Sequence, residues 1–184
     1  MAKELTRKAI IEAFLKLVEE RPADKITVKD ITAECGINRN TFYYHYQDIY
    51  GVMEDIFKAE AERIVAPHPT REDWEESFML GIQFVLEHKR AAYHIYNSKG
   101  RETVENYIFR MAQDCMKDFV KNETAGLTVS DEDIDLLTSF YTHGCEGIVT
   151  DWMKSGMEED FGNTVSRLEK LCKGSIRHNL EQIK

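Results

Sequence analysis

The chain has 184 residues, 42% apolar and 31% charged, which suits a globular protein with one large core or two smaller ones. No run of residues approaches the ~18 consecutive apolar positions of a membrane span, and the charged start (Lys3, Glu4, Arg7, Lys8) has no apolar signal-peptide core, so a cytoplasmic protein with no membrane partner is expected. The net charge of −9 argues against a nucleic-acid partner until it is located: residues 1–50 hold eight basic and eight acidic side chains, so the whole excess lies in residues 51–184, and Arg39 to Gln47 contains no acid.

Leu5, Ala9, Ile10, Ala13, Phe14, Leu17 and Val18 recur at three- and four-residue spacings and predict a helix over 5–20, ended by Pro22. Thr27 is placed to cap a short helix over 28–35, closed by Gly36. Asn38 caps the next over 39–46, and Asp48 a longer one to about Val65. The stretch APHPT at 66–70 is a candidate boundary. Thr70, with Asp73 in a capping-box position, opens a helix striped by Trp74, Phe78, Ile82, Val85 and Leu86. A shorter helix over 90–97 ends at Ser98-Lys99-Gly100. Residues 101–122 carry Val104, Ile108, Met111, Cys115 and Phe119 at helical spacing, followed by a loop to Thr128. Ser130 caps a helix to about Ser155, ended by Gly156, and a last helix over 162–182 carries Val165, Leu168, Leu171, Cys172, Ile176 and Leu180. The reading is all-α with about nine helices: a three-helix helix-turn-helix domain over 1–50 and a helical bundle over 51–184.

The segment ECGINRNTFYYHYQD (34–48) crowds Phe42, Tyr43, Tyr44 and Tyr46 among polar side chains. At about 100° per residue, Arg39, Tyr43, Asn40 and Tyr44 share one arc, while Phe42 and Tyr46 fall together on the opposite side. The rings therefore serve two surfaces, a core and an outward face. The outward set suits a DNA major groove: Arg pairs with guanine O6/N7, Asn with adenine N6/N7, and Tyr rings meet thymine methyls or phosphates. Thr27, Thr41 and His45 are placed to reach phosphates. The plainer alternative is a helical subdomain without DNA function.

The pattern T-x-x-x-I-x-x-x-C-G-I-N-x-x-T-F-Y-Y-H-Y, residues 27–46, resembles the N-terminal DNA-binding domain of the TetR/AcrR family of transcriptional regulators, a likeness that spans residues 5–60. The variants F-Y-Y-H-Y-x-D-I-Y and, later, G-x-x-G-I-V-x-x-W (144–152) are further similar to a subgroup that includes regulators of dihydroxyacetone kinase operons. The resemblance implies base contacts from Lys29, Arg39, Tyr43 and Tyr44, phosphate contacts from Thr27, Thr41 and His45, and a ligand-binding and dimerisation role for the acidic remainder. Two positions depart from the family pattern. Thr32 replaces a small Ala, and Ile49 replaces the Lys that commonly opens the fourth helix and meets a phosphate, so a shallower salt dependence is expected.

In the second half, Gly144, Cys145 and Gly147 leave a small-residue patch flanked by Ile148, Val149 and Trp152. With Leu168 and Cys172 on the last helix, this is the candidate dimer interface; the alternative is internal packing. A two-fold dimer would place two recognition helices about 34–36 Å apart on a palindromic operator. Phe78, Phe84, His94, Tyr96 and Phe140 are candidate pocket linings; for an unknown small-molecule effector Tyr93, Tyr107, Tyr141 and His143 are favoured because a buried hydroxyl or imidazole needs a partner, with Met111 as an apolar ligand contact. The four cysteines, Cys35, Cys115, Cys145 and Cys172, are far apart and lack metal-ligand spacing, so they read as reduced apolar fillers, with a redox-sensing thiol as the alternative. No nucleophile elbow, phosphate loop or metal set is present, and neither enzyme activity, a cofactor nor a metal is expected. The leading expectation is a homodimeric repressor released from its operator by a small molecule. The alternative is an activator or co-regulator whose C-terminal half binds a protein, which a closed interior would favour.

Overall fold

The computed structural model describes residues 2–65, 74–172 and 174–182. Among them there are ten α-helices and no strand: α1 Ala2–Glu20, α2 Val28–Glu34, α3 Arg39–His45, α4 Ile49–Val65, α5 Trp74–Glu87, α6 Lys89–Tyr96, α7 Arg101–Glu123, α8 Asp131–Lys154, α9 Phe161–Cys172 and α10 Ser175–Gln182. A 3-10 turn, Ala23–Lys25, links α1 to α2.

The all-α reading holds, with one correction to the element list. The single helix expected over 162–182 is two, because Gly174 sits at φ +79° and halts α9. The apolar spacing continues across the break, so the periodicity carried no sign of it. The expected boundary at APHPT and the cap at Thr70 lie outside the described residues.

The chain forms two compact units, Met1–Glu62 with Glu87–Val104, and Arg63–Leu86 with Glu105–Lys184. This differs from the division at 50/51 expected from the sequence. Two observations account for the first unit's extra pieces. The beginning of α4 buries Val52 and Met53 completely, and α6 lies along α1 with the His94 ring nitrogen Nδ1 at 2.6 Å from the Val18 carbonyl oxygen. The turn after α6 is tied back as well, the Lys99 amide donating to the Asp24 carboxylate at 3.1 Å. Gly100 follows in a tight corner: a Cβ there would meet Met53 Sδ at 3.0 Å and Ile95 Cγ2 at 3.1 Å.

The core of this unit is the α1 stripe Ile10, Phe14 and Val18 with Ile31 of α2 and Phe42 of α3, none of them exposed. In the second unit, Phe78, Ile82 and Val85 of α5, Ile108, Met111 and Cys115 of α7 and Val149 of α8 are buried. Val120 and Leu180 centre a smaller cluster with Phe119, Ile134, Leu137 and Tyr141.

Candidate nucleic-acid interface

The interface is built on two short helices, each pinned by a side-chain cap. Thr27 and Asp30 form a reciprocal box at the start of α2: the Asp30 amide donates to Thr27 Oγ1 at 3.3 Å, and the Thr27 amide and hydroxyl donate to Asp30 Oδ2 at 2.9 and 2.7 Å. These bonds, the hydroxyl's first, hold the Asp30 carboxyl below the usual range. Gly36, at φ +69°, then reverses the chain, and the Ile37 amide donates to the Thr32 carbonyl at 3.0 Å. The Thr32 hydroxyl, buried, donates to the Lys29 carbonyl at 3.1 Å, which is how Thr is accommodated where a smaller residue is usual. At the start of α3, Asn38 Oδ1 accepts from the Thr41 amide at 2.8 Å and from its hydroxyl at 3.2 Å.

The aromatic cluster divides as the helical spacing predicts. Phe42 is fully buried, with the Tyr46 ring 6.0 Å away, while Tyr43 and Tyr44 are 55% and 72% exposed. Arg39, Asn40 and Lys29 are exposed, and their side chains make no hydrogen bond or ion pair among the described residues. They are therefore available to a ligand without first breaking an internal contact. Thr27 and Thr41 differ in this respect: both hydroxyls already donate to caps, which leaves their oxygen lone pairs rather than their protons outward. His45 is half-buried, with its ring 5.3 Å from that of Tyr44. The sequence reading missed Lys3, whose Nζ lies 5.4 Å from the centre of the Tyr44 ring and so beside the outward face of α3. Nothing in the periodicity of α1 signals that contact. Ile49, in place of the familiar Lys, is 9% exposed, and α4 is capped by Asp48, whose Oδ1 accepts from the Tyr50 and Gly51 amides at 2.9 and 3.0 Å.

Residues 10–56 match the family described as bacterial regulatory proteins, tetR family, and residues 72–174 match the one described as transcriptional regulator C-terminal region. The chain belongs to the TetR family. It is 25% identical over 85 residues to the HTH-type dhaKLM operon transcriptional activator DhaS of Lactococcus lactis subsp. lactis, a match that spans 46% of each chain, about half the length of that relative. The solved structure of a dihydroxyacetone kinase operon activator, DhaS, shares the fold at a TM-score of 0.74, with 17% identity and 96% of both chains covered. That of the fatty acid degradation regulator FadR from Bacillus halodurans does so at 0.62, with 16% identity, covering 93% of this chain and 96% of that one. Both matched families are families of transcriptional regulators, and such regulators are not enzymes.

The second unit of this TetR-family chain separates the expected effector residues. Tyr107 and Met111 line a cavity of about 30 Å³ together with Ser77, Phe78, Gly81, Ile82, Val85, Ile108, Cys115 and Val149. The other three do not line it. Tyr93 is 46% exposed and belongs to α6 in the first unit. Tyr141 exchanges a hydrogen bond with Ser175 at 3.0 Å and packs in the Val120–Leu180 cluster. His143 is exposed and directs Nδ1 at the Ser139 carbonyl, 2.8 Å away. Helical spacing alone cannot separate a cavity wall from an outer face when both carry aromatics.

The expected dimer residues also divide. Gly144 and Gly147 are exposed on α8, and a Cβ at either meets nothing within 4 Å; Ile148 and Leu168 are half-buried. Phe140 and Leu136, one and two turns before Gly144 on the same side, are 70% and 68% exposed. Trp152, by contrast, is buried within the unit, its Nε1 donating to the Glu159 carbonyl at 3.2 Å and its ring 4.6 Å from Phe161, and Cys172 is buried too. Among the described residues no helix is long and apolar enough to cross a membrane, and no group of His, Cys, Asp and Glu side chains is arranged to hold a metal.

Proposed function

We propose that the protein works as a homodimer in the cytoplasm, reading a palindromic operator with α3 of each copy. The observation that carries this reading is the outward face of α3: Arg39, Asn40, Tyr43 and Tyr44 are exposed together on a helix whose far side holds Phe42 in the core. Arg39 and Asn40 supply the hydrogen-bonding pairs suited to guanine and adenine, and Lys29 an exposed cation on α2. Dimerisation runs through α8 around Gly144 and Gly147, where Leu136, Phe140 and the half-buried Ile148 give an apolar rim.

Two readings of the effector follow. Release of a repressor by a small molecule calls for a pocket on the order of 300–1,000 Å³. The cavity beside Tyr107 and Met111 is about 30 Å³, room for a single water-sized occupant. That cavity does not carry the first reading; in the second, a protein docks on the acidic C-terminal half and the outcome is activation. The word activator in the name of the DhaS relative points the same way.

Selection of bound duplexes from a random library by the purified protein tests the first claim: an enriched palindrome with half-sites about one helical turn apart supports it, and no enrichment from a folded dimer removes it. Transcription in vitro from a promoter carrying the selected site tests the second. Transcript lowered by the protein alone returns the repressor reading to the front.

A further inference from the structure

One carboxylate joins three helices of the first unit and serves none of the roles above. Asp55, midway along α4, accepts from Arg7 of α1 through both oxygens: Nε donates to Oδ2 at 2.5 Å and Nη2 donates to Oδ1. Its Oδ2 also accepts from the hydroxyl of Tyr46, the residue that ends α3. The third Arg7 nitrogen, Nη1, donates to Glu4 at 3.0 Å, so each guanidinium nitrogen holds a carboxylate. The set forms one wall of an open cleft that Lys3, Tyr44, His45 and Lys58 also line.

We propose that Asp55 is a positioning residue for DNA recognition: by holding the Tyr46 hydroxyl and the Arg7 guanidinium together, it fixes the C-terminal turn of α3, and with it Tyr43, Tyr44 and His45. The reasoning starts from length. α3 has seven residues, too few to be helical on its own, so its pose is set by what it touches. Its first turn is fixed by Asn38 and its middle by Phe42. Tyr46 is the corresponding anchor at the other end. A phenylalanine there would pack against Phe42 equally well, so the hydroxyl adds direction rather than buried area. A bidentate guanidinium–carboxylate pair is stiff in a way a single ion pair is not, which suits a fixed frame. Two of the three side chains that precede Tyr46 are the exposed rings of the outward face.

The proposal rests on the DNA-binding reading, and the test separates the two. Tyr46→Phe and Asp55→Asn are compared with the natural protein for affinity to the selected operator duplex, affinity to a random duplex of equal length, and melting temperature. Tyr46→Phe keeps the ring, so it remains informative if Asp55→Asn does not fold. The expected result is a loss of roughly tenfold or more for the operator, as befits a hydrogen bond to a charged group, with random-duplex affinity within about twofold and little change in melting. Operator affinity equal to that of the natural protein in Tyr46→Phe overturns the proposal. So does a parallel loss on operator and random DNA that tracks a lowered melting temperature, which marks a structural role only. If the natural protein itself does not distinguish operator from random duplex, the DNA reading fails, and this positioning role with it.

Discussion

The Nδ1 of His94 lies 2.6 Å from the carbonyl oxygen of Val18, a residue of the last turn of α1. Carbonyls in the final turn of a helix have no partner within it, and Val18 is fully buried, so water is a poor substitute. The imidazole therefore completes α1 from α6, and its Nδ1 carries the proton of that bond. Replacing His94 by Ala strands a buried acceptor and should cost roughly 1–3 kcal/mol, read by urea unfolding. An unfolding midpoint equal to that of the natural protein would show that solvent reaches the carbonyl and that the contact is incidental.

Arg39 and Lys3 should fail differently. Arg39→Ala removes a side chain with no internal partner from the outward face of α3, and should cost roughly 1–3 kcal/mol on the operator while relaxing one base position. Lys3→Ala should weaken binding to all duplexes alike and flatten the salt slope by about one, the signature of a lost phosphate contact. Equal weakening of every sequence by Arg39→Ala would move Arg39 to the phosphates.

Opposite signs on folding and assembly are expected at Gly147. With nothing within 4 Å of its Cβ position, Gly147→Ala should favour the helix of a single chain by about 1 kcal/mol, because Gly is the poorer helix former. A second copy packed closely on α8 would meet the added methyl, and a larger Gly147→Leu change should give a folded monomer by sedimentation with weakened operator binding. A stable dimer of Gly147→Leu would place the interface elsewhere.

The Asp55 network sets a pH window. Burial, and then the Asp55 carboxylate, push the Tyr46 hydroxyl well above its ordinary value, while Arg7 holds Asp55 below the usual carboxylate range. A raised tyrosine stabilises fully below its unfolded pKa of about 10 and loses that as pH rises through the folded value. A lowered carboxylate stabilises above about 4 and loses that as pH falls further. The stability of the natural protein relative to Tyr46→Phe should be constant from about pH 5 to 9 and fall above about 10. A difference that already changes between about pH 6 and 8 would assign it to another group.

Much of the α1–α4 region was legible because its signals are local. Thr27, Asn38 and Asp48 cap where their spacing predicts, and Phe42 and Tyr43 separate by helical angle alone. The contacts that were not legible join distant segments: Lys3 to Tyr44, Arg7 to Asp55, Val18 to His94. A periodicity names a face but not its neighbour. The same limit put Trp152 on the dimer surface, when its ring lies against Phe161 inside the unit, and put Tyr141 in a pocket, when Ser175 takes its hydroxyl.

The first compact unit is made of two separate lengths of chain, Met1–Glu62 and Glu87–Val104. A DNA reader of this kind is not a portable cassette. Cutting after residue 62 and grafting the front piece onto another sensor would carry off α1 without α6, leaving Val18 without its imidazole and Asp24 without the Lys99 amide. Chimaeras and truncations of this protein should therefore keep or replace residues 87–104 together with the N-terminal segment. A swap that respects only the linear order would measure a damaged reader rather than a new combination.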